Sequence, residues 1–256
     1  SDLLEKLSSV FFKLLDELTI ARSRKHIQKY YKDSIAQLGG FPERHKPITV
    51  FPEIDLKTKF MSYDKLNEEI LGYKLSLFNP SEYLKDDCRK FYPEEKIAAF
   101  TQEKREFYLI GMMKVGFLKR LESSIKSFEI TMERTIGKVE TLEEKITRFK
   151  QKQAADAEID VDDIAANEIE DDEVKEALEV GSKFKYKLEH LEVERWLKDL
   201  AKDKRQLNLL YLAAKDVSVE RDAKLKDLKK FIENKAKNPT TNKLGRPNRK
   251  VLVFTA

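Results

Sequence analysis

The chain has 256 residues, enough for one or two domains with a sizeable core; 38% are charged, 41% apolar, and glycine and proline are scarce. That profile suits long exposed helices and argues against a compact sheet protein. The net charge is +4, yet Asp156 to Glu173 holds ten acidic residues and no basic one, so its −10 leaves +14 on the remainder. A basic body with an acidic segment points to a polyanion partner or to a lysine-rich, solvated surface. Cys88 is the only cysteine, which excludes an intrachain disulfide and fits a reducing, cytoplasmic setting. His26, His45 and His190 form no cluster with it, which argues against zinc. No apolar run approaches the ~20 residues of a membrane span, and Asp2 and Glu5 do not suit a basic leader.

In chain order, Asp2 to Leu18 reads as a helix with Leu3, Leu7, Phe11, Leu14 and Leu18 on one broad face. A basic turn, Ala21 to Ile27, runs into a second helix through Tyr30 and Tyr31, which Gly39-Gly40 ends. Phe41 to Arg44 is a turn, and Pro47 to Phe51 alternates like a short strand. Tyr63 to Phe78 reads as a helix, Asn79 to Glu82 as a turn, and Ser81 to Phe91 as a short helix. Tyr92 to Glu95 opens a helical run leading into the main element.

That element is predicted over Gln102 to Gln153. Leu118, Leu121, Ile125, Phe128, Met132, Ile136, Val139, Leu142, Ile146 and Phe149 recur at steps of mostly three and four. A single helix of this length would span about 75 Å and needs a partner. Phe184 to Ala214 supplies one, with Leu188, Leu191, Trp196, Leu197, Leu200, Leu207, Leu210 and Tyr211, although Lys204 falls where an apolar residue is due. Antiparallel pairing puts the acidic segment, about 154–174, at the tip. After a break at Val217 to Glu220, Asp222 to Lys235 forms a last helix with Leu225, Leu228, Phe231 and Ile232 inward. Asn238 to Asn248 is a polar linker, and Lys250 to Thr255 an apolar strand of the kind found inside parallel sheets. A sheet strand ending the sequence reads as a cut just inside a further domain.

Four stretches, in order, resemble the Swi/Snf-type, RapA-like helicase ATPases of superfamily II. They are Thr19 to Ile27 with Phe41 to Arg44, then Phe117 to Ser124, Asp222 to Leu228, and Arg249 to Thr255. They are similar to the family's basic segment and LP-x-K turn, its LLKRLxSS helix, its D-x-K-L-x-x-L helix, and the strand opening its second RecA-like lobe. The chain departs from the pattern at Ala21-Arg22, where the family has paired arginines, and it holds no phosphate loop, acidic box or arginine finger. The resemblance implies a region between the two motor lobes, with ATP and magnesium belonging only to the full-length parent. It implies no chemistry of its own, and a double-stranded DNA partner, or RNA, reached through that parent.

Nothing in the residues assembles a catalytic group, a cofactor pocket or a metal site. The candidate nucleic-acid-binding residues are Arg22, Arg24, Lys25 and Lys29, with Arg22, Lys25 and Lys29 at helical spacing, and Lys119 with Arg120. A protein partner at the hairpin tip is the competing device, and a helical scaffold without nucleic-acid binding the alternative function. The expected architecture is mainly α. A long antiparallel hairpin packs with shorter helices and one or two short strands, in three regions: 1–55, 56–235 and 236–256.

Overall fold

The computed structural model describes residues 24–37, 41, 46–92, 101–152, 158–160, 185–241 and 245–254. Among the described residues seven α-helices are defined: α1 Arg24–Tyr30, α2 Lys32–Gln37, α3 Tyr63–Leu71, α4 Gln102–Ser123, α5 Ile125–Lys152, α6 Val193–Lys215 and α7 Ala223–Lys237. Two small antiparallel ribbons pair β1 Glu158–Asp160 with β2 Lys185–Lys187, and β3 Thr240–Thr241 with β4 Pro247–Asn248. The fold is mainly α, as expected. The chain divides into a unit of 1–50 with 239–249 and a larger unit of 51–238 with 250–256. No helix among the described residues is long and apolar enough to cross a membrane.

The larger unit is built on the antiparallel pairing of α5 and α6. Three cross-links fix the direction: Lys150 to Glu194 at 2.5 Å, Lys204 to Glu143 at 2.5 Å, and Tyr211 to Glu133 at 3.1 Å. As the α5 number falls, the α6 number rises. Between them lie Phe128, Met132, Val139, Leu142 and Ile146, facing Trp196, Leu200, Leu207 and Leu210, all buried. Lys204 thus occupies its apolar seam position as one half of an interhelical ion pair.

The expected single helix Gln102 to Gln153 is instead two. Ser124 adopts an extended conformation, φ −162° and ψ 153°, and serves both ends. Its N–H donates to the Arg120 carbonyl at 3.0 Å, closing α4, and its Oγ accepts the Ser127 N–H at 3.0 Å, opening α5. The chain then doubles back. In the β1–β2 ribbon, Ile159 lies beside Leu142 of α5, while its neighbour Tyr186 donates to Glu106 of α4 at 3.3 Å. Glu106 and Leu142 are equidistant in sequence from Ser124, so α4 returns along the bundle. The apolar steps run unbroken through Ser124, which is why periodicity alone joined the two helices.

Residues 73–92 wedge into this bundle. The expected helix to Phe78 stops at Leu71, because Gly72 closes it and Leu75 takes a left-handed conformation, φ 52°. Short 3₁₀ turns follow at Ser76–Phe78, Pro80–Tyr83 and Asp86–Phe91, in place of the helix expected over Ser81 to Phe91. The partner helix begins at Val193, not Phe184: Lys185–Lys187 is strand and Leu188–His190 a 3₁₀ turn. There Leu191 bridges Leu84, and Glu192 N–H donates to the Tyr83 carbonyl at 2.7 Å.

The described start of the acidic segment also departs from the expected tip. β1 lies back along Lys138 to Lys145, where Lys145 Nζ donates to the Glu158 carbonyl. Pro47 to Phe51 forms no strand and is unpaired among the described residues, with Ile48 and Phe51 exposed. Val251 to Phe254 is likewise exposed and unpaired, not a strand. On α7, Leu225, Phe231 and Ile232 are more than a third exposed, not inward, since none of the described elements covers that face. The Asp2–Leu18 helix, the Gly39-Gly40 stop, Pro42 to Arg44, the helix start at Pro93 and Arg22 lie outside the described residues.

Candidate functional site

The predicted basic residues fall on two elements. In the smaller unit, α1 carries Arg24, Lys25 and Lys29, with Lys25 and Lys29 exposed and one turn apart. The Arg24 guanidinium lies 5.1 Å from the centre of the Phe41 ring, and the Lys29 ammonium 5.1 Å from that of Tyr30. Tyr30 and Tyr31 are both exposed, so cations and aromatic faces share the short α1–α2 surface. In the larger unit, Lys119 is exposed and Arg120 half-buried near the C-terminal end of α4. Cations there complement the negative end of the helix dipole, a structural role available without any ligand.

Two buried carboxylates with raised pKa are ones sequence reasoning passed over. Glu106 is fully buried on α4 and accepts three hydrogen bonds: from Ser81 N–H at 3.0 Å, Gln102 Nε2 at 3.0 Å and Tyr186 Oη at 3.3 Å. Burial pushes its carboxyl up to about 7, against the pull of those donors. Asp203 is buried on α6; its Oδ2 accepts the Ser76 N–H at 2.6 Å and its Oδ1 has no partner. Burial raises this carboxyl too. Trp196 Nε1 donates to the Ser76 carbonyl at 2.8 Å, and its ring stacks on Tyr83 at 5.6 Å. Two acids from two helices therefore hold the first N–H groups of two 3₁₀ turns, as capping carboxylates supplied by other elements. Their signal in the sequence was positional: each is an acid standing at an apolar step of its helix.

A third cluster joins the two ends of the larger unit. Asp55 accepts the N–H groups of Lys57 at 3.0 Å, Lys59 at 3.0 Å and Phe60 at 3.2 Å, and the Nε and Nη2 groups of Arg221, at 3.0 and 2.5 Å. The Arg221 guanidinium holds the Asp55 carboxyl well below the usual carboxylate range. Arg221 also pairs with Asp216 at 2.7 Å, which ties the α6–α7 turn to the segment entering the bundle. Closer to the surface, Lys74 sits between Glu82 and Asp199, 2.7 Å from each.

Each acid is saturated by structural donors or enclosed by packing, and none faces a cleft holding a nucleophile and a base. Among the described residues no group of three His, Cys, Asp or Glu side chains is placed to hold a metal ion. A groove of about 300 Å³ between α5 and the β1–β2 ribbon is lined by Lys138, Thr141, Leu142, Lys145, Ile159 and Lys185. Its cations are engaged locally, Lys145 by the Glu158 carbonyl and Lys185 by Asp160 at 3.6 Å. Compared with known proteins, the chain matches no family model, no curated protein and no solved structure.

Proposed function

We propose that the chain is the helical region between the two motor lobes of a Swi/Snf-type DNA-dependent ATPase, coupling the lobes and touching the nucleic-acid backbone. The observation that carries the reading is the exposed Lys25–Lys29 face of α1, with Arg24 beside it, at the first of four ordered stretches resembling that family. Cations one turn apart on an exposed helix neutralise phosphates without reading bases. ATP and magnesium belong, in this reading, to the flanking lobes of the full-length parent. The Asp55–Arg221 clasp supports a coupling role, because it makes the entry and exit of the bundle move together.

Fluorescence anisotropy with a labelled duplex tests it. Lys25→Glu with Lys29→Glu should weaken binding at low salt at least about tenfold and reduce the log–log salt slope by about 2. Lys65→Glu with Lys237→Glu, exposed lysines elsewhere, should leave both nearly unchanged. Equal losses in the two double variants would show unspecific attraction to a basic protein and would remove α1 from the interface.

A further inference from the structure

α6 has two seams, not one. Inward, Trp196, Leu200, Asp203, Leu207, Leu210 and Ala214 are buried and follow steps of four, three, four, three and four. Outward, on the opposite side of the same helix, Lys198, Lys202, Arg205, Leu209 and Leu212 follow steps of four, three, four and three, and all are exposed. This alternation is the spacing at which one helix packs along another. The outer stripe runs about 21 Å.

Its charge is uncompensated. No carboxylate among the described residues pairs with Lys198, Lys202 or Arg205. The nearest acids on the helix are already engaged: Glu194 by Lys150 at 2.5 Å, Asp199 by Lys74 at 2.7 Å, and Asp203 inside the bundle. Directly beyond the cations, Leu209 is 68% and Leu212 53% exposed, on a helix whose other side is firmly seated. The stripe is therefore rigid before anything binds, which lowers the cost of docking on it.

A phosphate backbone would complement the three cations and leave both leucines in water. A helical polypeptide complements all five positions. We propose that the outer face of α6 is a docking seam for an acidic amphipathic helix of a protein partner. Carboxylates lie against Lys198, Lys202 and Arg205, and apolar side chains cover Leu209 and Leu212. The proposal does not depend on nucleic-acid contact at α1.

The test uses the full chain and two synthetic helical peptides of about 21 residues, matched to the length of the stripe. Each places Glu at three successive seam positions and Leu at the next two, one peptide in parallel and one in antiparallel order. A scrambled peptide of equal charge and a DNA duplex are the other probes. One ordered peptide should bind at least about tenfold more tightly than the scrambled one. Lys202→Glu with Arg205→Glu, and separately Leu209→Lys, should each weaken it about tenfold or more. The melting temperature should hold, because these side chains are in water. Absence of saturable peptide binding overturns the proposal. So does duplex binding that is lost on charge reversal, is unaffected by Leu209→Lys, and has no peptide counterpart; that pattern makes the stripe a phosphate contact.

Discussion

Glu106 gives the protein a stability that depends on pH in an uncommon direction. Its carboxyl is raised from 4.5 to about 7 in the fold. Between those values the unfolded chain has lost a proton that the folded chain keeps, so stability falls as pH rises through the window. The full effect is about 3 kcal/mol. Asp203, also raised by burial, acts in the same sense. Asp55 acts in the opposite one: its carboxyl is depressed, so its contribution is present above the ordinary 3.8 and lost as pH falls below it. Stability should therefore peak near about pH 4–5, between the two windows. Urea midpoints should fall between pH 5 and pH 8, and Glu106→Gln should flatten most of that slope. A slope unchanged in the Gln variant would mean that Glu106 is ionised without penalty.

At the scale of elements, the turn at Ser124 and the α5–α6 seam divide the work. Ser124 supplies a cap, so Ser124→Ala should cost about 1 kcal/mol. The seam supplies the cohesion. Phe128 and Leu200 are fully buried, and Phe60 meets Phe128 edge-on at 6.3 Å. Phe128→Ala should cost about 3–5 kcal/mol and Leu200→Ala about 2–5 kcal/mol in urea unfolding, since neighbouring helices cannot close the cavity. Leu225→Ala on α7 removes a side chain already 42% exposed, and should cost less than about 1 kcal/mol. A large loss at Leu225 with a small one at Phe128 would place the core elsewhere.

At the scale of the whole molecule, the stable body is one part of the chain. Every buried residue among those described lies between Asp55 and Ala223, and the Asp55–Arg221 pair joins those two ends. Both boundaries fall inside the larger unit. A shortened chain of residues 51–241 should therefore keep the melting temperature and helical circular dichroism per residue of the larger unit, in one cooperative transition. Loss of cooperativity on removing 1–50 would show that the smaller unit holds part of the core.

The helical class, the α5–α6 seam and the antiparallel pairing were legible in the sequence, because a buried helix face must repeat its apolar residues at the helical period. Phe128, Met132, Val139, Leu200 and Leu207 announce their burial by spacing alone. The exposed cations of α1 were legible for the complementary reason: a dense cluster of Arg and Lys is seldom buried. What the sequence did not carry is where a regular pattern stops. Ser124 reverses the chain through one residue's dihedral angles while the apolar steps continue across it. The strand at Lys185–Lys187 and the left-handed Leu75 likewise follow from packing that local propensity does not see. The buried acids are the clearest case. In one dimension Asp55 looks like ordinary surface charge, and Glu106 and Asp203 are marked only by standing at apolar steps of their helices. Only in three dimensions do the backbone N–H groups of Ser81 and Ser76 arrive to meet Glu106 and Asp203, and the guanidinium of Arg221 to meet Asp55, because those donors come from segments that the fold, and nothing nearer in the chain, brings alongside.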